Sequence, residues 1–120
     1  MPGVRGMQQH TRRKPMTGGG KATRLPTICD LPVPPAPPGA NFSDAQQQRW
    51  DELFASAVAW LWGEAELGLV AAYVHLEAQL FDGSGTAATI REIKSLADSL
   101  GLSPASRARM GYEIGDDDGQ

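Results

Sequence analysis

The chain has 120 residues, of which 11 are Lys or Arg and 14 are Asp or Glu, so its formal net charge is −3. This length predicts one small domain. The single cysteine, Cys29, excludes an intrachain disulfide. The sequence has neither an apolar run near the roughly 20 residues that span a bilayer nor the apolar stretch of a secretory signal. We therefore expect a cytoplasmic protein with no membrane partner.

The charges are divided unequally along the chain. Residues 1–29 carry six basic residues and no acid, whereas residues 30–120 carry five basic residues and all 14 acids, a net charge of −9. A basic arm on an acidic body suits a polyanionic partner such as DNA, although a tail that is simply solvated has the same composition. The candidate DNA contacts in the arm are Arg5, Arg12, Arg13, Lys14, Lys21 and Arg24.

Residues 1–41 are predicted to form a mostly disordered arm. The segment 31–38 includes five prolines, which lack amide donors and push their neighbours towards extended geometry. This composition predicts either a plain, stiff linker or an extended segment that lies in a groove of a neighbouring subunit. Of the two, we favour the plain linker.

The first helix is predicted to begin at Ser43, because Ser43 and Gln46 have the spacing of a capping box. Apolar residues then recur on one helical face until Gly63, where the helix ends or bends. This face consists of Trp50, Leu53, Phe54, Ala57, Val58 and Leu61.

A second helix is predicted from Glu64 to Phe81. Its apolar residues form two neighbouring stripes that cover roughly half of the circumference, which is more than one partner helix needs. A helical body of about 70 residues also makes only a modest core, so oligomerisation is a natural source of stability. The candidate subunit contacts are Leu69, Val70, Tyr73, Val74, Leu76, Leu80 and Phe81.

Glu77 falls inside the apolar arc of this second helix. An unpaired carboxylate is costly to bury, so we predict that Glu77 has a basic partner. The candidate partners are Arg91, Lys94 and Arg107.

Two more helices complete the body. The turn at 82–85 predicts an antiparallel hairpin between the second helix and a third helix at 86–100. Gly101 can end the third helix in the left-handed conformation, and Ser103 can cap a short fourth helix at 104–110 that opens with proline. The predicted fold class is all-α: a helical domain at 42–114, with the arm 1–41 before it and an acidic, disordered tail at 115–120 after it.

No catalytic or metal-binding arrangement is visible in the sequence. His10 and His75 are isolated from one another and from other ligand types, and the glycines at 18–20 lack the spacing of a phosphate-binding loop. The acidic run 116–118 is typical of a solvating tail. We therefore expect neither an enzyme nor a cofactor.

The order of these features resembles the small terminase subunits of tailed phages and prophages. The resemblance covers a proline-rich segment at 31–38, a first helix with Trp50-Asp51-Glu52-Leu53-Phe54, a second with Leu69-Val70-Ala71-Ala72-Tyr73, and an ending at 100–110 that reads Leu-Gly-Leu-Ser-Pro-Ala-Ser-Arg-Ala-Arg-Met. The ending is the most specific part, and each of the other parts is weak by itself.

The resemblance implies a role in packaging viral DNA in the cytoplasm of a bacterial host. Small terminase subunits form closed rings, bind viral double-stranded DNA and recruit the large terminase subunit, which holds the ATPase and nuclease. The resemblance also implies that Arg109 is a candidate contact for DNA or for the large subunit. Arg107 is interpreted as structural. Because no convincing helix-turn-helix is visible, we expect contacts with phosphate and DNA shape rather than with base edges.

Two other functions fit the same residues. One is a small, dimeric, helical DNA-binding regulator of transcription whose arm grips phosphate. The other is an interaction adaptor without nucleic acid, in which the proline-rich segment docks on a protein partner. Stoichiometry distinguishes the ring from both of these, and salt-sensitive DNA binding distinguishes the regulator from the adaptor.

Overall fold

A computed structural model describes residues 22–115 of the chain. The described part is mostly helical, with one small two-stranded parallel sheet. Its elements are β1 (Thr23–Leu25), α1 (Asp44–Ala55), two 3₁₀ helices (Ala57–Leu61 and Glu64–Glu66), α2 (Leu67–Phe81), α3 (Ala87–Leu100), α4 (Pro104–Met110) and β2 (Tyr112–Ile114). None of the helices in this part of the chain combines the length and the apolar character that crossing a membrane requires.

The helix caps are those that the sequence predicted. The Ser43 hydroxyl accepts the Gln46 amide at 3.1 Å, and the Gln46 side-chain oxygen accepts the Ser43 amide at 2.8 Å. Gly101 ends α3 with a φ of +78°, and the Ser103 hydroxyl caps α4. These caps depend on residues within four positions of one another, so the local sequence is sufficient to specify them.

The first helix ends earlier than predicted. α1 stops at Ala55, and the apolar stretch up to Leu61 continues as a 3₁₀ helix rather than as α-helix. Ser56 lies between them in an extended conformation and forms an antiparallel bridge with Ile28, while the Cys29 amide donates to the Ala55 carbonyl at 2.9 Å. A backbone contact with a distant segment therefore interrupts the helix.

An aromatic cluster forms the centre of the core. The rings of Trp50 and Phe54 are 4.6 Å apart and those of Phe54 and Trp62 are 5.2 Å apart, and all three side chains are buried. The Trp62 indole donates to the Leu100 carbonyl at 2.9 Å, which satisfies the one polar atom of this buried side chain. The residue that follows Leu61 is thus hydrogen-bonded to Leu100, the last residue of α3.

Helices α2 and α3 pack against each other across the turn at 82–86. Near the turn, the side chains of Gln79 and Thr89 lie 3.5 Å apart. At the other end, Trp62, which precedes α2, contacts Leu100 at the end of α3. The end of α2 thus lies beside the start of α3, and the residues before α2 lie beside the end of α3.

The structure differs from the disorder that we expected before residue 42. Residues 22–38, which we call the strap, lie against the helical body. β1 pairs in parallel with β2, aligning Thr23 with Tyr112, and the Thr23 amide donates to the Gly111 carbonyl at 2.8 Å. Leu25 and Cys29 are buried. Hydrophobic periodicity could not predict this pairing, because each strand has only three residues and its partner is almost 90 positions away.

Tryptophan side chains hold the strap in place. The Trp50 indole donates to the Pro34 carbonyl at 2.9 Å, and the Trp60 indole donates to the Ile28 carbonyl at 2.9 Å. We call the surface formed by these two indoles and the backbone at 55–56 the cradle. Proline removes amide donors but leaves carbonyls free, so a proline-rich segment is well suited to accept bonds from indole N–H groups.

Candidate nucleic-acid and subunit interfaces

The described part of the chain begins next to the two-stranded sheet. Arg5, Arg12, Arg13, Lys14 and Lys21 lie outside the described residues, so their part in DNA binding stays a prediction. Arg24 lies in β1, is exposed, and has one guanidinium nitrogen 3.4 Å from a carboxylate oxygen of Glu113. The sheet therefore holds Arg24 beside β2, the strand that follows α4.

Arg107, on α4, has a structural contact. Its guanidinium donates to the Gly101 carbonyl at 3.1 Å, and its side chain is half-buried. Gly101 is the left-handed residue that ends α3, so this bond ties the fourth helix to the end of the third. The structural interpretation of Arg107 agrees with this geometry.

Arg109 is differently placed. Its guanidinium donates to the Asp98 carboxylate at 2.5 Å, but both side chains are more than half exposed. An ion pair in water contributes little, typically below 1 kcal/mol, so a phosphate can replace the carboxylate at small cost. Arg109 therefore stays a candidate for contact with an anionic partner.

The candidate subunit contacts on α2 separate into two groups. Val70, Tyr73 and Val74 are buried in the core of the chain itself, so we leave them out of the subunit surface. Leu76 is half-buried. The remaining candidates, Leu69, Leu80 and Phe81, are exposed, and Phe81 is the extreme case at 83%. The sequence pattern found the apolar residues but could not tell those that face the core from those that face outwards.

The exposed surface of α2 carries no unpaired charge. Glu77 is the one Asp, Glu, Lys or Arg between Leu67 and Phe81, and it is occupied by a salt bridge. Gly68 and Ala72 are exposed, one helical turn apart, and a side chain added at Gly68 would meet no atom within 4 Å. This surface could therefore accept the close approach of another helix without burying a charge.

The partner of Glu77 is Arg49, not one of the three residues that we predicted. Arg49 Nε donates to Glu77 Oε1 at 2.8 Å and a second guanidinium nitrogen donates to Oε2 at 3.1 Å. The bonds with Glu77 raise the pKa of Arg49. Burial, together with the Glu77 carboxylate, raises the pKa of Tyr73. The three groups connect α1 to α2.

This ion pair lies in an open groove of about 560 Å³ between α1 and the second half of α2. Ala45, Val74 and Ala78 supply apolar wall, and Phe81 stands at its edge. Glu52 and Asp82 also line the groove, so a partner that covered Phe81 would meet charged groups as well as apolar ones there.

His75 joins the start of α1 to α2. The side-chain amide of Gln46 lies 3.1 Å from His75 Nδ1, and His75 Nε2 lies 2.7 Å from the Ala40 carbonyl. Because the Gln46 oxygen already accepts the Ser43 amide, its nitrogen must be the donor to Nδ1, and Nε2 must carry the proton that reaches Ala40. The sequence indicated no partner for His75, whereas the structure gives it two.

The whole chain, residues 1–120, matches a family model described as phage terminase small subunit. The chain belongs to the phage terminase small subunit family. No curated protein and no solved structure matches it. Membership associates this small terminase subunit with the packaging of phage DNA.

Proposed function

We propose that this small terminase subunit binds viral double-stranded DNA through its basic arm and assembles into a ring that presents the DNA to the large terminase subunit. The family match over residues 1–120 is the observation that carries this proposal. Two properties of the chain support it: the separation of a basic arm from an acidic body, and the exposed, uncharged surface of α2.

The arm is the better candidate for DNA because the rest of the chain repels phosphate. Residues 1–29 hold six basic residues and no acid, while the remainder carries a net charge of −9. Anchoring at β1 sets where each arm begins. In a ring the arms act together, so phosphate contacts that are weak singly add through effective concentration.

The proposed subunit contact is the exposed part of α2, with Leu69, Leu80 and Phe81 as its large apolar side chains. Burying apolar surface is the main favourable contribution to association, about 25 cal/mol for each Å² removed from water. The surface contacts a different region of the next copy, since head-to-tail contacts of this kind close into rings.

Catalysis belongs to the large subunit in this proposal. The small subunit positions DNA and regulates an ATPase and nuclease that it does not itself contain. Arg109 and the groove beside Phe81 are the described features open to such a partner.

The experiment is a salt titration of DNA binding with a matched pair of variants. Replacing Arg12 and Arg13 with glutamine removes two charges from the arm, and replacing Arg91 and Lys94 with glutamine removes two from exposed positions on α3. Each lost phosphate contact reduces the slope of log K against log salt by about 0.9 for B-form DNA. We expect this slope to fall by about 2 for each arm that contacts DNA in the first variant, and to stay unchanged in the second. Equal slopes in wild type and the arm variant would remove the arm from the proposal.

A further inference from the structure

The strap contacts the body as a peptide ligand contacts a receptor. Its bonds to the cradle run from the indoles of Trp50 and Trp60 to backbone carbonyls of Pro34 and Ile28. Near its start it adds a strand to β2 through backbone bonds. Main-chain bonds of this kind do not depend on which copy of the chain supplies the segment.

The strap covers the cradle and satisfies the indole N–H groups of Trp50 and Trp60. Trp50 is completely buried and donates to the Pro34 carbonyl of the strap, and Cys29, which belongs to the strap, is only 5% exposed. Removing the strap would expose aromatic surface and leave the indole N–H of Trp50 without its partner. The cradle must therefore be filled by a strap, either its own or that of another copy.

The strap joins α1 through a short segment with two left-handed residues. Gly39 has a φ of +89° and Asn41 has a φ of +50°. Glycine moves between backbone regions without steric cost, and asparagine tolerates the left-handed region better than most residues. A change at these two positions would redirect the strap while the cradle and helices stayed as they are, which is the arrangement from which domain swapping arises.

We propose that, in the assembled protein, the strap of one copy fills the cradle of its neighbour. The inference rests on the proposed assembly and names a second copy of this chain as the occupant. Passing each strap to the next copy is a head-to-tail contact, the type that closes into a ring. It also carries each basic arm onto the adjacent subunit, so the DNA-binding element of one copy would project from another.

Disulfide trapping tests this inference. Ile28 and Ser56 form an antiparallel bridge, and the Cys29 amide donates to the Ala55 carbonyl, which makes 28 and 56 a non-hydrogen-bonded pair. Such pairs have Cα atoms about 4.5 Å apart, within the range that a disulfide spans. In a Cys29→Ala background, Ile28→Cys and Ser56→Cys are placed on separate, differently tagged chains and co-expressed. Pairing Ile28→Cys with Ser95→Cys, on the exposed side of α3, controls for chance collisions.

A second cysteine pair guards against a failure of the first variant to fold. Arg24 and Glu113 are register partners in the β1–β2 sheet, and both side chains are exposed. Arg24→Cys and Glu113→Cys chains are co-expressed in the same way. We expect both pairs to give a covalent heterodimer on a non-reducing gel and the Ser95 control to give none.

Absence of a link between copies in both pairs would overturn the inference. Native mass spectrometry of the same samples separates this failure from failure of the proposed function. Oligomers without a link between copies would contradict strap exchange alone, and monomers would contradict the assembly as well.

Discussion

Arg49 holds Glu77 by two bonds, at 2.8 and 3.1 Å, across the contact between α1 and α2. Glu77 is the more buried partner, with 14% of its side chain exposed. Replacing Arg49 with Met keeps the side chain's bulk but leaves this carboxylate without its cation. Because Arg49 itself is 39% exposed, we expect a moderate loss of about 1–2 kcal/mol in the free energy of unfolding.

Urea denaturation measures this loss, and Arg91→Met, on the exposed side of α3, is the matched control. The second substitution Glu77→Gln should restore part of the stability of the Arg49→Met variant, because it removes the unpaired charge. Equal stability of wild type and Arg49→Met would show that the pair does not join the two helices.

Tyr73 makes stability depend on pH in alkaline solution. Its pKa lies above the ordinary value of 10.0 in the folded chain, owing to burial and to the Glu77 carboxylate. Unfolding lowers this pKa back to the ordinary value, so the stabilisation is complete below pH 10 and is lost as the pH rises through the folded pKa. Absorbance titration of a Tyr112→Phe variant, in which Tyr73 is the remaining tyrosine, should show ionisation above pH 10. Stability that falls equally above pH 10 in the Tyr73→Phe variant would assign the effect elsewhere.

Trp50→Phe tests whether the strap is held by its indole bond. The substitution keeps an aromatic ring but removes the donor to Pro34, and a hydrogen bond of this kind contributes about 0.5–1.5 kcal/mol. The strap should then open more often, so that Cys29 reacts faster with a thiol reagent.

Trp62→Phe is the control for this experiment. It loses a similar bond, to the Leu100 carbonyl, but that bond lies away from the strap. We expect faster labelling of Cys29 in Trp50→Phe than in Trp62→Phe when both are compared at equal global stability. The reverse order would mean that the strap is held mainly by its other contacts.

The helices and their ends could be predicted from the sequence because their signals are local. Ser43, Gly101 and Ser103 act on residues within a few positions, and each cap forms as expected. The strap could not be predicted in this way, since the Trp60–Ile28 and β1–β2 contacts join residues 32 and almost 90 positions apart. The early end of α1 follows from the bridge between Ser56 and Ile28, which is also a long-range contact, and it was missed for the same reason.

The candidate interfaces were predictable only in part. Apolar periodicity showed that α2 has more apolar surface than one partner helix can cover. It did not show that Val70 is buried and Phe81 exposed, because this depends on how α1 and α3 pack around α2. Arg49 was not among the predicted partners of Glu77, because the sequence does not show that the face of α1 carrying Arg49 packs beside Glu77. Five arm residues lie outside the described part of the chain, so their role stays a prediction from charge.

Gly101 is required where α3 ends. A Cβ there would lie 3.3 Å from Leu61 and 3.4 Å from Met110, and the φ of +78° disfavours any side chain. We expect Gly101→Ala to cost about 1–2 kcal/mol in the free energy of unfolding. Gly68→Ala provides the contrast: that position is the second residue of α2 and is open, so the substitution should leave the free energy of unfolding unchanged or raise it slightly. Thermal denaturation of both variants would contradict this account if Gly101→Ala were the more stable.

Phe81→Glu tests the proposed subunit contact. The side chain is exposed in the single chain, so the change should leave monomer stability nearly unaltered. If Phe81 is buried between copies, losing about 1.5–3 kcal/mol per contact raises the dissociation constant by roughly tenfold or more. Analytical ultracentrifugation over a concentration series measures this shift, with Ser95→Glu as the control. An unchanged dissociation constant would exclude Phe81 from the contact.

In our proposal this small terminase subunit works as an assembly of several copies, and native mass spectrometry at physiological salt tests that assembly most directly. We predict one discrete species that contains more than two copies of the 12.8 kDa chain. A monomer or dimer, unchanged on addition of DNA, would contradict the ring and favour the dimeric regulator.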